Sequence, residues 1–131
     1  SGRQVRPETR VVLVDRVGVL AAVYRAAALV YVGGSFGKGV HNVMEPACFG
    51  LPVIFGPRHL NSYEARLMLA QGGAFAVDSS RAAGEIAGKL IDDKEFRRTA
   101  GAAAQNVVRD NLGATDRTLQ ALAERFSVAA V

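Results

Sequence analysis

The sequence is poor in the residues that announce most specialised sites. It has no tryptophan, one cysteine, two histidines and four prolines among 131 residues. A single cysteine, Cys48, excludes an intrachain disulfide and fits a reducing compartment. Set in an apolar helical stretch, it reads as a buried packing residue and not as a nucleophile. The two histidines and the cysteine lack ligand spacing, so no metal site is expected. No apolar run reaches the ~18–20 residues of a membrane span, and no signal peptide is visible. No run of three Lys or Arg occurs and no aromatics interleave with basic residues, so nucleic acid is not an expected partner. The net charge of +4 fits an anionic ligand or an anionic surface, but taken alone an ordinary solvated surface is the preferred reading.

Half of the residues are apolar and 21% are charged, a balance that predicts a globular domain with a core. Four short apolar runs read as strands near residues 10–15, 29–33, 52–55 and 74–77. Between them lie stretches with helical spacing at residues 17–27, up to about Phe49, and 61–73. Gly50 followed by Pro52 stops the second, and Gly72-Gly73 stops the third. This βα rhythm predicts an α/β fold with a doubly wound parallel sheet. Beyond Val77 the pattern turns helical over residues 80–92, 94–111 and 115–126, with turns expected at Asp92-Asp93 and Asn111-Leu112-Gly113. Residues 1–9 read as a polar lead, a tag remnant or linker. Residues 10–131 read as the domain, and a sheet that begins this abruptly suggests part of a longer chain.

In a parallel sheet the loops that follow the strands share one edge. Here they bring Arg16, Lys38, His41, Arg58 and His59 to one rim, whereas the opposite loops (Ala27-Ala28, Gly50-Leu51, Gly72-Gly73) carry no charge. The asymmetry predicts an anion-binding cleft. Its centre is GGSFGKGVHNVMEP, residues 33 to 46, with four glycines in seven positions. Glycines let backbone N–H groups approach a phosphate or sugar, and a helix start adds partial positive charge. The loop matches neither the phosphate-loop pattern GxxxxGK[ST] nor the GxGxxG fingerprint.

Asn42 and Glu45 have the spacing of a capping box, as do Asn61 and Glu64 at the next helix. At the second pair the cap is preferred. At the first, capping and ligand contact both stand, because Pro46 at the first helical position makes Glu45 the cap residue with its carboxylate at the cleft. His41 either orders the loop or donates to a ligand. Ser35 has no base partner, and no nucleophile, base and orienter set can be read.

The run VLVDRVGVLAAVYRAAALVYVGGSFGKGVHNVMEPACFGLPVIFGPRHLNSYEA resembles the C-terminal half of the 3-deoxy-D-manno-octulosonic acid (Kdo) transferases. That family carries an Asp-x-x-Gly loop, GGS, a short variable loop, HNxxEPA, PV and GP before an Asn-rich helix start. The likeness runs nearly the whole chain from about Val11. The chain departs at Gly39-Val40-His41-Asn42, where the family often reads Gly-Gly-His-Asn, and at Val19, where it often has glutamate. HNxxE-like loops also occur in other glycosyltransferases with two Rossmann-like domains, the GT-B class.

The resemblance implies a partial Rossmann-like sheet with a C-terminal helical cap, one half of a GT-B fold. It implies donor contacts from Gly18, Gly33, Gly34, Ser35, His41, Asn42 and Glu45, to which the basic rim adds Lys38, a departure from the family's loop. It implies CMP-Kdo as donor, a lipid A precursor as acceptor, no cofactor, and peripheral association with the cytoplasmic face of the bacterial inner membrane. The family's acidic catalytic residue lies in the N-terminal domain, so no catalytic residue is expected in this chain, and the chain alone is expected to be inactive. The alternatives are another GT-B transferase or epimerase using a UDP-sugar, or a non-catalytic α/β interaction module.

Overall fold

Short apolar runs form the sheet, two of them rich in β-branched and aromatic residues and the third reading Ala-Phe-Ala. The computed structural model describes residues 6–126, so the expected lead segment, residues 1–9, falls partly outside the described residues. Strands β1 (Val30–Val32), β2 (Val53–Phe55) and β3 (Ala74–Ala76) are parallel and lie in the order β1-β2-β3. Val30, Tyr31 and Val32 sit opposite Val53, Ile54 and Phe55, which in turn sit opposite Ala74, Phe75 and Ala76. Helices α1 (Leu20–Ala26), α2 (Met44–Cys48), α3 (Tyr63–Gln71), α4 (Ser80–Asp92) and α5 (Lys94–Phe126) complete the chain.

The central strand β2 is buried along its whole length, as expected of a parallel strand covered on both faces. Its side chains alternate between two cores. Val53 and Phe55 join Val32, Val43, Ala47, Ala65, Met68 and Val107 on one face. Ile54 joins Val77, Leu90 and Ala100 on the other. Helix α5 contributes to both, with Ala104 and Val107 in the first and Ala100 in the second. Phe96 of α5 meets Phe75 of β3 at 5.6 Å between ring centroids. The sheet and the helical cap are thus one packed body, with the loops after β1 and β2 left free at one edge.

Four expectations need correction. Residues 10–15 do not form a strand: Val11 and Leu13 are 85% and 89% exposed, and no described strand pairs with the outer edge of β1. An apolar run records capacity for burial, and only a pairing partner turns it into a strand. Helix α1 forms, but Leu20 and Val23 stay exposed, and its packing rests on Tyr24 against the Phe49 ring. The helical tail has two helices and not three. A break falls at Asp93, whose Oδ1 accepts the Phe96 N–H, while Asn111-Leu112-Gly113 runs on as helix. One glycine costs a helix only about 1 kcal/mol, which intact hydrogen bonding on both sides absorbs. Cys48 is exposed. Helix α2 has five residues and buries Pro46 and Ala47, so Cys48 falls on its open side.

Candidate donor-binding loops at the sheet edge

The glycine loop leaves β1 and folds straight back on itself. Gly37 and Gly39 both donate their N–H to the Gly34 carbonyl, at 2.8 and 3.2 Å, and His41 donates its N–H to the Gly33 carbonyl at 3.1 Å. Gly34 has φ +90°, and a Cβ there would lie 2.6 Å from the His41 ring and overlap the Gly39 carbonyl. The loop therefore needs glycine at position 34 to seat His41 across it. His41 is exposed, as are Lys38, Asn42 and Glu45.

The second loop, Gly56 to Asn61, fastens the first. Ser35 is fully buried, and its Oγ accepts the Gly56 N–H at 2.5 Å. Its carbonyl accepts the Arg58 N–H at 2.9 Å, and the Arg58 carbonyl accepts the Val40 N–H at 3.0 Å. The Arg58 side chain donates from Nη1 to the Gly37 carbonyl at 2.8 Å. Asn61 closes the clamp: Oδ1 accepts the Val40 N–H at 3.2 Å and Nδ2 donates to the Val40 carbonyl at 3.0 Å. The two loops are thereby laced into one platform.

Neither expected capping box forms. Helix α2 starts at Met44 after Val43, and Asn42 Oδ1 accepts the Met44 N–H at 2.9 Å in a local turn. Pro46 is the third helical residue, where its missing N–H would have had no intrahelical partner. Glu45 caps nothing and makes no hydrogen bond among the described residues. Its charge is felt by Tyr24, whose phenol is pushed above its usual range first by burial and then by the Glu45 carboxylate. At α3 the cap is Ser62, whose Oγ accepts the Ala65 N–H at 3.1 Å. Glu64 accepts a bond from the Ser62 hydroxyl, and Asn61 is left to the loop clamp.

The structure thus gathers Gly33, Gly34, Ser35, Lys38, His41, Asn42 and Glu45 on one loop-and-helix unit at the edge where the strands end. Gly18 is not tied to that unit: it has φ +86° with open space around it, and no hydrogen bond links residues 10–18 to the glycine loop. Of the other rim residues, His59 is turned inward. Its ring packs on Phe55 at 5.3 Å, with Nδ1 buried and unpartnered. Sequence reasoning missed Phe36, which is 56% exposed and lies against Gly56 so closely that a Cβ there would come within 2.7 Å of the ring. It also missed Asn61 as a loop residue. The signal available for Phe36 was a lone aromatic among glycines; for Asn61 there was none, because a cap and a clamp use the same amide. No group of three or more His, Cys, Asp or Glu residues able to hold a metal occurs among the described residues.

A parallel α/β sheet with two laced loops at its strand ends and a long C-terminal helix defines the class: a Rossmann-like domain, one half of a GT-B fold. Its fold matches the C-terminal CMP-Kdo binding domain of WaaA from Acinetobacter baumannii, with a TM-score of 0.67 at 23% identity over 72% of this chain and 51% of that one. In sequence, the chain is similar to 3-deoxy-D-manno-octulosonic acid transferases: 38% identical to that of Haemophilus influenzae over 117 residues and 36% identical to that of Bordetella pertussis over 118. The resemblance carried by the GGS and HNxxEP segments is borne out. These alignments take in 87% and 88% of this chain but 27% and 28% of the relatives, so the chain spans about a quarter of their length. No family model matches the chain.

Proposed function

We propose that this chain supplies the donor-binding surface of a Kdo transferase, an enzyme that moves Kdo from CMP-Kdo to a lipid A precursor in lipopolysaccharide biosynthesis. The observation that carries the reading is the folding of GGS and HNxxEP into one unit at the strand-end edge of a parallel sheet, the edge at which such sheets bind nucleotides. Gly33 and Gly34 present backbone to the ligand. Ser35, expected to contact the donor, is instead fully buried out of a ligand's reach and ties the second loop beneath them. The open rim carries Lys38 and Arg58 for the ligand's anionic groups. His41, Asn42 and Glu45 border the sugar, with the Glu45 carboxylate free to accept hydroxyl hydrogen bonds. The catalytic acidic residue belongs to the companion domain, so this chain alone has no transferase activity. The full enzyme works at the cytoplasmic face of the inner membrane as a peripheral protein. No described helix is long and apolar enough to cross a bilayer.

The test is Glu45→Gln in the enzyme that carries this chain, with Glu64→Gln as control. Glu45 caps nothing, so its amide should leave thermal stability unchanged. Losing a charged acceptor of sugar hydroxyls should weaken CMP-Kdo binding by about 1.5–3 kcal/mol, roughly tenfold to a hundredfold or more in Kd. Glu64→Gln should keep full affinity. Equal, small effects of the two variants on calorimetric affinity would remove Glu45 from the donor site.

A further inference from the structure

We infer that Asn61 is a positioning residue for the donor, acting through the backbone of Val40; the inference rests on the donor-binding reading above. Asn61 lies just before α3, outside the glycine loop, yet its amide makes two bonds to one residue of that loop. It accepts from the Val40 N–H at 3.2 Å, sharing that N–H with the Arg58 carbonyl at 3.0 Å, and it donates to the Val40 carbonyl at 3.0 Å. This is the pairing that a neighbouring strand would give, supplied by a side chain. Val40 itself is buried at 5% exposure, and the next two residues are His41 and Asn42. Fixing the peptide groups on either side of Val40 therefore fixes where His41 leaves the loop.

The loop is shaped around this contact. Gly39 has φ +149°, and a Cβ there would fall 2.6 Å from the Asn61 amide carbon and Oδ1. A glycine at 39 and an asparagine at 61 thus go together: one leaves the space, the other fills it with two directed bonds. Helix capping does not require Asn61, because Ser62 performs it. Aspartate is the informative replacement, since it matches asparagine in size and keeps the acceptor but turns the donor toward Val40 into a second acceptor.

The experiment measures donor KM, acceptor KM, kcat and amide exchange at Val40 in the full enzyme for Asn61→Asp and Asn61→Ala. Asp93→Ala, which removes the cap of α5 far from the loops, is the control for lost stability alone. Both Asn61 variants should raise the CMP-Kdo KM by about tenfold or more, as misplaced positioning groups do, with acceptor KM unchanged and faster exchange at Val40. Asp93→Ala should lower the melting temperature and leave donor KM alone. Wild-type donor KM in Asn61→Asp, unchanged Val40 exchange, or a loss matched by Asp93→Ala overturns the inference and leaves the donor reading standing. Failure of the unmodified enzyme to bind CMP-Kdo overturns the donor reading and this inference together.

Discussion

The two edges of the sheet are both lined with glycine, and they use it in opposite ways. At the edge where the strands begin, Gly73 admits the backbone of α5, and Gly101 of α5 admits the backbone of Gly50. A Cβ on Gly101 of α5 would collide with the Gly50 carbonyl oxygen, and one on Gly73 would come within 2.7 Å of the Ala104 Cα. Gln105 Nε2 then donates to the Cys48 carbonyl at 3.1 Å, serving an end of α2 that has no further turn. The loops at this edge carry no charge, although Arg25 at the end of α1 lies over the Phe49 ring at 5.9 Å. At the edge where the strands end, the glycines touch only the two loops there: Gly34 meets His41 within the first, Gly39 meets Asn61 of the second, and Gly56 meets Phe36 of the first. The first set of glycines removes space between elements, so the edge is closed. The second lets short loops bend back and leaves the rim open, with Lys38, Glu45 and Arg58 exposed. Both edges are rich in glycine; the proposed donor site lies at the edge whose glycines face loops and not a helix.

The sharpest way to break this contrast is at the closed edge. Gly101→Ala sets a methyl against a carbonyl that belongs to another element's backbone, so the helix must move. Overpacking of this kind costs about 1–3 kcal/mol, and the gain of under about 1 kcal/mol in helix propensity does not offset it. The largest fall in melting temperature should appear here, while donor affinity of the folded protein stays at wild-type level. Loss of affinity without loss of stability would mean that α5 reports to the open edge.

Gly39→Ala should reverse that pattern. The backbone at φ +149° is strained for any side chain, a penalty of about 1–3 kcal/mol when fully borne. Here the loop can shed part of it by releasing Asn61, a side chain and not a helix. Thermal stability should therefore fall less than in Gly101→Ala, while CMP-Kdo affinity falls by at least about tenfold, in line with misplacement of binding groups. Isothermal titration beside a thermal melt separates the two outcomes.

The sequence carried one edge better than the other. The proposed donor edge was legible because a parallel βα rhythm places all strand-end loops together, and because glycine, histidine and glutamate cluster in one run. The asymmetry of charge between the edges could be read directly. The partners within the edge could not. Asn61 and Asn42 each had the spacing of a cap, yet each bonds elsewhere, since a side-chain amide serves turns, caps and clamps alike. The closed edge was invisible for another reason: that Gly101 meets Gly50 depends on how α5 lies across the sheet, a contact between residues 51 apart by number. Residues 10–15 show the limit of pattern reading from the other side. Their apolar run has every local property of a strand, and pairing, which is not local, did not follow among the described residues.

A third kind of glycine tests whether the contrast is about glycine at all or about what glycine faces. Gly84 lies mid-way along α4, exposed, with nothing within 4 Å of where a Cβ would stand and no left-handed φ. It neither admits a backbone nor bends a loop, so only its helix cost remains. Gly84→Ala should then stabilise the protein by about 0.5–1 kcal/mol, a small rise in melting temperature with donor affinity untouched. The sign is the informative part. The same substitution destabilises at Gly101 through a collision and at Gly39 through strain, and it reverses at Gly84 where both are absent. A destabilised Gly84→Ala would mean that α4 is covered on its outer face in solution, and the reading of glycine by its neighbours would have to include that cover.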